Sequence, residues 1–137
     1  MAEQLQAVDV GSISELKGSA QIVRDKPYKA TESFDIQQND EAVTTNGRMA
    51  ITFLDDSKVK LTEHSQLTID EYIFDPNPSK SKMAITFGLG TARFITGSFN
   101  KIDKANIDLK TPTANIAIRG TDFTVTVDET GRSLLIL

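Results

Sequence analysis

The chain has no cysteine, no tryptophan and a single histidine in 137 residues. Without cysteine there is no disulfide, no thiolate metal site and no cysteine nucleophile. One histidine, His64, is too few for a metal centre built on imidazoles. Long apolar runs are also missing. The longest, Leu134 to Leu137, has four residues, whereas a membrane-spanning helix needs about 20. The first ten residues carry Glu3 instead of a basic flank and hold no apolar stretch of signal-peptide length. As written, the sequence is read as neither secreted nor inserted in a membrane. Nor is there a basic excess. Fifteen Lys and Arg stand against nineteen Asp and Glu, for a net charge of −4. Nucleic-acid binding relies on clustered cations. Here they are scattered along the chain, with Lys80 and Lys82 the densest patch, so no nucleic-acid partner is expected.

What is present is β-branched. Thr, Ile and Val number 15, 13 and 7. Such side chains lose rotamer freedom in helices and pack well on pleated sheets. An all-β protein is expected, and the periodicity agrees. Met49, Ile51 and Phe53 alternate with Arg48, Ala50 and Thr52, so one set faces a core and the other faces out. Asp55-Asp56-Ser57 interrupts the run, and Val59 and Leu61 then alternate with Lys58, Lys60 and Thr62. The two runs predict a hairpin. Further strands are predicted over Ala20–Arg24, Gln66–Asp70, Ala84–Phe87, Thr91–Ile95, Asn106–Lys110, Ile116–Ile118, Asp122–Val127 and Ser133–Leu137. No amphipathic helical segment accompanies them. Short strands at this spacing indicate a stacked β-solenoid-like fold or a β-sandwich, not βαβ units.

The length suits a single domain. Residues 1–10 are read as an N-terminal arm and 11–137 as the β domain. Asp75 to Lys82 contains two prolines and reads as an internal loop. Either half alone would offer too few inward side chains to offset its chain entropy. Met-Ala-Ile-Thr-Phe occurs twice, at 49–53 and 83–87. That repeat fits equivalent strands feeding one core from adjacent coils or layers.

Glu63, His64, Asp55 and Asp56 read as solvated turn residues, not a metal site. Asp70, Glu71 and Asp75 lack calcium-loop spacing and read as a solubilising strand end. Gly88-Leu89-Gly90-Thr91 has no following helix to cradle a phosphate and reads as a turn. Asn46-Gly47 reads as a turn whose residues tolerate positive φ. Tyr28, Tyr72, Phe74 and Phe99 would suit a carbohydrate or peptide groove, but ordinary packing is preferred. A serine nucleophile would find only His64 or a lysine as base. No catalytic residue, cofactor or metal is assigned, and an enzyme is not expected. Phe123 is expected to anchor the core. Gly120 suggests a bulge or close backbone approach. Arg119 is expected to be tied to a carboxylate or carbonyls, and Pro112 to start or edge a strand.

Several separated segments together resemble the FecR domain. They are Gly11 to Arg24, Asn39-Asp40 with Val43-Thr44-Thr45, Gly47 to Leu61, Gly88 to Phe94, and Thr111 to Val125. The most specific is Thr111-Pro112 followed by Ile118-Arg119-Gly120-Thr121-Asp122-Phe123. The likeness covers most of residues 11–127. One departure is Asp56, where the family usually has Gly, which leaves the turn type of that hairpin open.

The resemblance implies a non-catalytic β module that acts through protein contact. Full-length family regulators couple an outer-membrane transporter to a cytoplasmic sigma factor, with the domain in the periplasm. FecR-like domains also occur in phage-encoded proteins. The sequence as written shows no sigma-binding portion and no membrane helix. The favoured expectation is therefore a structural subunit of a larger assembly, such as a virion or tail component. The location expected with it is the virion or the bacterial cytoplasm. The alternative is a periplasmic signal-relay domain that contacts a transporter's signalling domain, which would require a leader or membrane segment beyond these residues. A protein partner or self-assembly is expected, with the domain an oligomer or part of a larger complex. The apolar stretch Leu134, Leu135, Ile136, Leu137 is the candidate interface. Truncation of a longer chain is the preferred account of its abrupt end.

Overall fold

The computed structural model describes residues 9–73, 82–95, 106–119 and 122–137. Every regular element among them is a strand, so the fold is all-β, as the β-branched composition predicts. In chain order the strands are β1 (Asp9–Lys17), β2 (Ala20–Val23), β3 (Pro27–Lys29), β4 (Asp35–Gln37), β5 (Glu41–Thr44), β6 (Arg48–Phe53) and β7 (Lys58–Leu61). There follow β8 (Gln66–Ile73), β9 (Lys82–Ile95), β10 (Asn106–Lys110), β11 (Asn115–Arg119), β12 (Phe123–Val127) and β13 (Ser133–Ile136). Asp9 and Val10, assigned from sequence to the arm, open β1, and Lys82, assigned to the loop, opens β9.

The strands lie in two layers. One has the order β4-β1-β6-β7-β9-β12-β13 and is called the β6 layer. The other has the order β3-β2-β5-β8-β9-β10-β11 and is called the β8 layer. β9 belongs to both. Lys82–Leu89 lies along β8, whereas Gly90–Ile95 lies between β7 and β12. All thirteen strands thus form one continuous sheet that curls over one connected core. Pairing is antiparallel except between β9 and β10, which run parallel. The repeated pentapeptides do not stack as neighbours. Met49, Ile51 and Phe53 enter the core from the β6 layer, Met83, Ile85 and Phe87 from the β8 layer. Burial of each stabilises by roughly 1.5–3 kcal/mol.

The bend in β9 corrects the reading of Gly88-Leu89-Gly90-Thr91 as a turn. The segment is the interior of a 14-residue strand. Gly90 has φ +98°, and a Cβ there would stand 2.1 Å from Ser65 Oγ and 2.7 Å from Ser65 Cα. Glycine therefore lets the strand bend against β8's entry and change layers. Asn46-Gly47 does lie in the turn between β5 and β6, but not for the reason of positive φ. Neither residue has positive φ. Gly47 is required because a Cβ would lie 2.3 Å from the Lys17 carbonyl oxygen, where the β5–β6 turn crosses the β1–β2 turn.

Candidate functional site

The Asp55-Asp56-Ser57 turn joins β6 to β7, and its first residue is not solvated as the sequence reading had it. Asp55 is 1% exposed. Its carboxylate accepts hydrogen bonds from the Ser57 hydroxyl and from Tyr72 Oη, the latter at 2.6 Å. Tyr72 Oη in turn accepts from the Asp55 backbone N–H at 3.1 Å. Burial, followed by the hydrogen bond to Asp55, raises the Tyr72 phenol well above its ordinary value. The ring stacks on Phe53 with centroids 5.1 Å apart and is buried, so Tyr72 is core packing. The other turn residues differ. Asp56 is exposed at φ 70° and His64 is exposed at φ 54°. Asp56 thus occupies the left-handed position for which the family's usual Gly is suited.

A second polar tie holds the β2–β3 turn to the β4–β5 turn. Asp40, 1% exposed, accepts from Arg24 Nε and an Arg24 terminal nitrogen, both at 2.7 Å, and from the Gln37 N–H at 2.8 Å. The Arg24 guanidinium lies 5.6 Å from the ring centroids of Tyr28 and Phe34. Its donors and its flat face are both engaged. Tyr28 therefore belongs to a structural cluster. Asp70 accepts from the Thr86 hydroxyl at 2.6 Å, and Glu71 pairs with Lys82 at 2.9 Å. Lys80, Phe74, Asp75 and Phe99 lie outside the described residues.

The family motif near the C-terminal end divides in the same way. Pro112 does not start a strand; it sits in the turn between β10 and β11. The buried Thr111 holds that turn, its hydroxyl accepting from the Ala114 N–H at 3.1 Å and from the Ser133 hydroxyl at 2.6 Å. This ties the β10–β11 turn to β13. Phe123 is buried and stacks on Phe94 at 4.6 Å. Gly120, Thr121 and the Arg119 side chain fall outside the described residues, while the Arg119 backbone pairs with Asn106. On β13, Leu135 packs partly on the core, whereas Leu134 and Ile136, and Leu137 just after the strand, are 59%, 58% and 77% exposed.

No group of three or more His, Asp or Glu side chains converges among the described residues. The feature that stands out is a groove on the outer side of the β6 layer. It crosses β1, β6, β7 and β9 and has a volume of ≈ 360 Å³. Its charged lining is Lys17, Arg48, Lys60, Arg93 and Glu15. Ala50, Thr62 and Thr91 lie between them. Sequence reading missed this assembly. Alternation puts Arg48 and Lys60 outward, but strand order and register bring Lys17 and Arg93 beside them.

These observations define a β module held by apolar packing and buried polar ties at Asp40, Asp55 and Thr111, with a cluster of cations on an outer sheet face. A family model described as FecR protein matches residues 39–137. The chain belongs to the FecR family. The match includes β13, which the sequence resemblance stopped short of, and omits Gly11 to Arg24, which that resemblance included. No curated protein and no solved structure matches the chain.

Proposed function

We propose that this domain is a regulatory signal-relay module that works by protein–protein contact and catalyses no reaction. The observation that carries this reading is the FecR family match over residues 39–137. It favours the relay over the virion subunit, for which the comparisons offer no support. The physical design is compatible with a relay. The buried polar groups Asp40 and Asp55 are consumed in internal ties, which leaves the outer sheet faces and edges for contact. The relay reading places the domain on the periplasmic side of a bacterial envelope. The test is a pull-down of this domain against the periplasmic signalling domain of a transporter encoded beside it. A stable complex is expected. Repeated absence of one, with the domain assembling into large particles by itself, would overturn the relay.

Self-assembly through β13 is the competing reading, and the exposed Leu134 and Ile136 on an edge strand favour it. Light scattering on the wild type and on a chain lacking residues 134–137 separates the two. An oligomer that disappears on deletion supports assembly, and a monomer in both supports the relay.

A further inference from the structure

The groove on the β6 layer sits on a chain whose net charge is −4, yet four of its five charged lining residues are cations. Their arrangement opposes stability. Lys17 stands directly opposite Arg48 across the β1–β6 pair, and Lys60 directly opposite Arg93 across the β7–β9 pair. Like charges in directly opposed positions destabilise a sheet. Among the described residues, none of the four has a carboxylate within ion-pair distance. A sequence that violates a local rule twice on one face, with no ion pair among the described residues to offset it, fits a surface that is completed from outside.

We propose that this groove binds an extended acidic segment of a partner protein. The inference deepens the relay reading and rests on it. Neighbouring strands lie about 4.8 Å apart, so the cations from β1 to β9 span roughly 14 Å. In an extended chain, side chains on one face recur every ~6.8 Å, so two or three alternate carboxylates match that span. The lining decides against other anions. Single-stranded nucleic acid is held by aromatic platforms on which bases stack, and no aromatic residue lines the groove. A bilayer is flat, and these cations line a depression. Beyond β12 on the same outer face, Leu134 and Ile136 stand exposed opposite Thr126 and Thr124. That apolar margin suits a polypeptide partner and not a phosphate polymer.

The test uses the whole chain and a fluorescein-labelled peptide of alternating Glu and Val, with its Gln-for-Glu counterpart as the neutral control. Fluorescence anisotropy should show binding of the acidic peptide that weakens at least tenfold between low and physiological salt, and no binding of the control. The double variant K60E/R93E should lose binding at least tenfold. K82E/K110E, on the outer side of the β8 layer, should change it less than twofold. Backbone amide shifts on the wild type should map the peptide to residues 15–17, 48–50, 60–62 and 91–93, a readout that does not depend on any variant folding. No binding to the wild type, shifts elsewhere, or tighter binding of oligo-dT or anionic phospholipid vesicles would overturn the proposal. A transporter domain captured equally by wild type and K60E/R93E would refute the groove while leaving the relay intact. Peptide binding without capture would do the reverse.

Discussion

Replacing Tyr72 by Phe removes one oxygen atom from the core and tests whether the β6–β7 turn is a buried polar network. The ring keeps its place on Phe53, 5.1 Å away. What disappears is a 2.6 Å hydrogen bond to the Asp55 carboxylate and the acceptor for the Asp55 N–H at 3.1 Å. A hydrogen bond to a charged group contributes ~1.5–3 kcal/mol, and a buried N–H left without a partner costs ~1–3 kcal/mol. The Ser57 hydroxyl still serves the carboxylate, which limits the damage. We expect a loss of about 3 kcal/mol, more than a hundredfold in the folding equilibrium. Urea unfolding at neutral pH reads this as a lower midpoint with an unchanged slope. A pH series adds a sign. The native phenol is held well above its ordinary value of 10.0 by burial and by Asp55. Above that value the unfolded chain releases the proton and the native one keeps it. The stability this group contributes is therefore complete below pH 10 and declines as pH rises beyond it. The gap between wild type and Tyr72→Phe should narrow toward about pH 11. Tyr28 is raised in the same direction, by its hydrogen bond to Asp25, and is common to both proteins. A loss below about 1 kcal/mol, or a gap that stays constant with pH, would place this hydroxyl in water and refute the network.

Two further variants test the backbone. Asp56→Gly should stabilise the protein by about 0.5–1 kcal/mol, because relief of the left-handed conformation at φ 70° exceeds the added entropy of the unfolded chain. A destabilised variant would mean that the Asp56 side chain does something the turn geometry does not account for. Gly90→Ala should cost about 2–5 kcal/mol, from a Cβ 2.1 Å from Ser65 Oγ together with φ +98°. A thermal midpoint within a degree of wild type would refute the account of the β9 bend.

Legibility followed the range of the interactions involved. The β6–β7 hairpin could be read because Met49, Ile51, Phe53, Val59 and Leu61 alternate without a break around a polar turn. β3 and β4 could not, since three residues such as Asp35-Ile36-Gln37 carry too little periodicity to separate a strand from a loop. Gly88 and Gly90 punctuate the sequence as a turn would, and nothing local distinguishes a turn from a strand that bends between layers. Asp55 looked like any solvated turn aspartate. Its burial depends on Tyr72, 17 positions away, arriving beneath it from β8.

The residues alone determined that this chain is all-β, because β-branched composition and period-two alternation are local properties of the backbone and its neighbours. They also carried enough of the FecR pattern, from Gly47 through Phe123, to indicate the family that the model match over residues 39–137 establishes. Tertiary structure alone decided that β9 serves both layers and that Asp40 and Asp55 are buried. It alone gathered Lys17, Arg48, Lys60 and Arg93 into one groove. Each of these depends on strand order and register, which are set by packing between segments tens of residues apart and leave no mark on the spacing within any one of them.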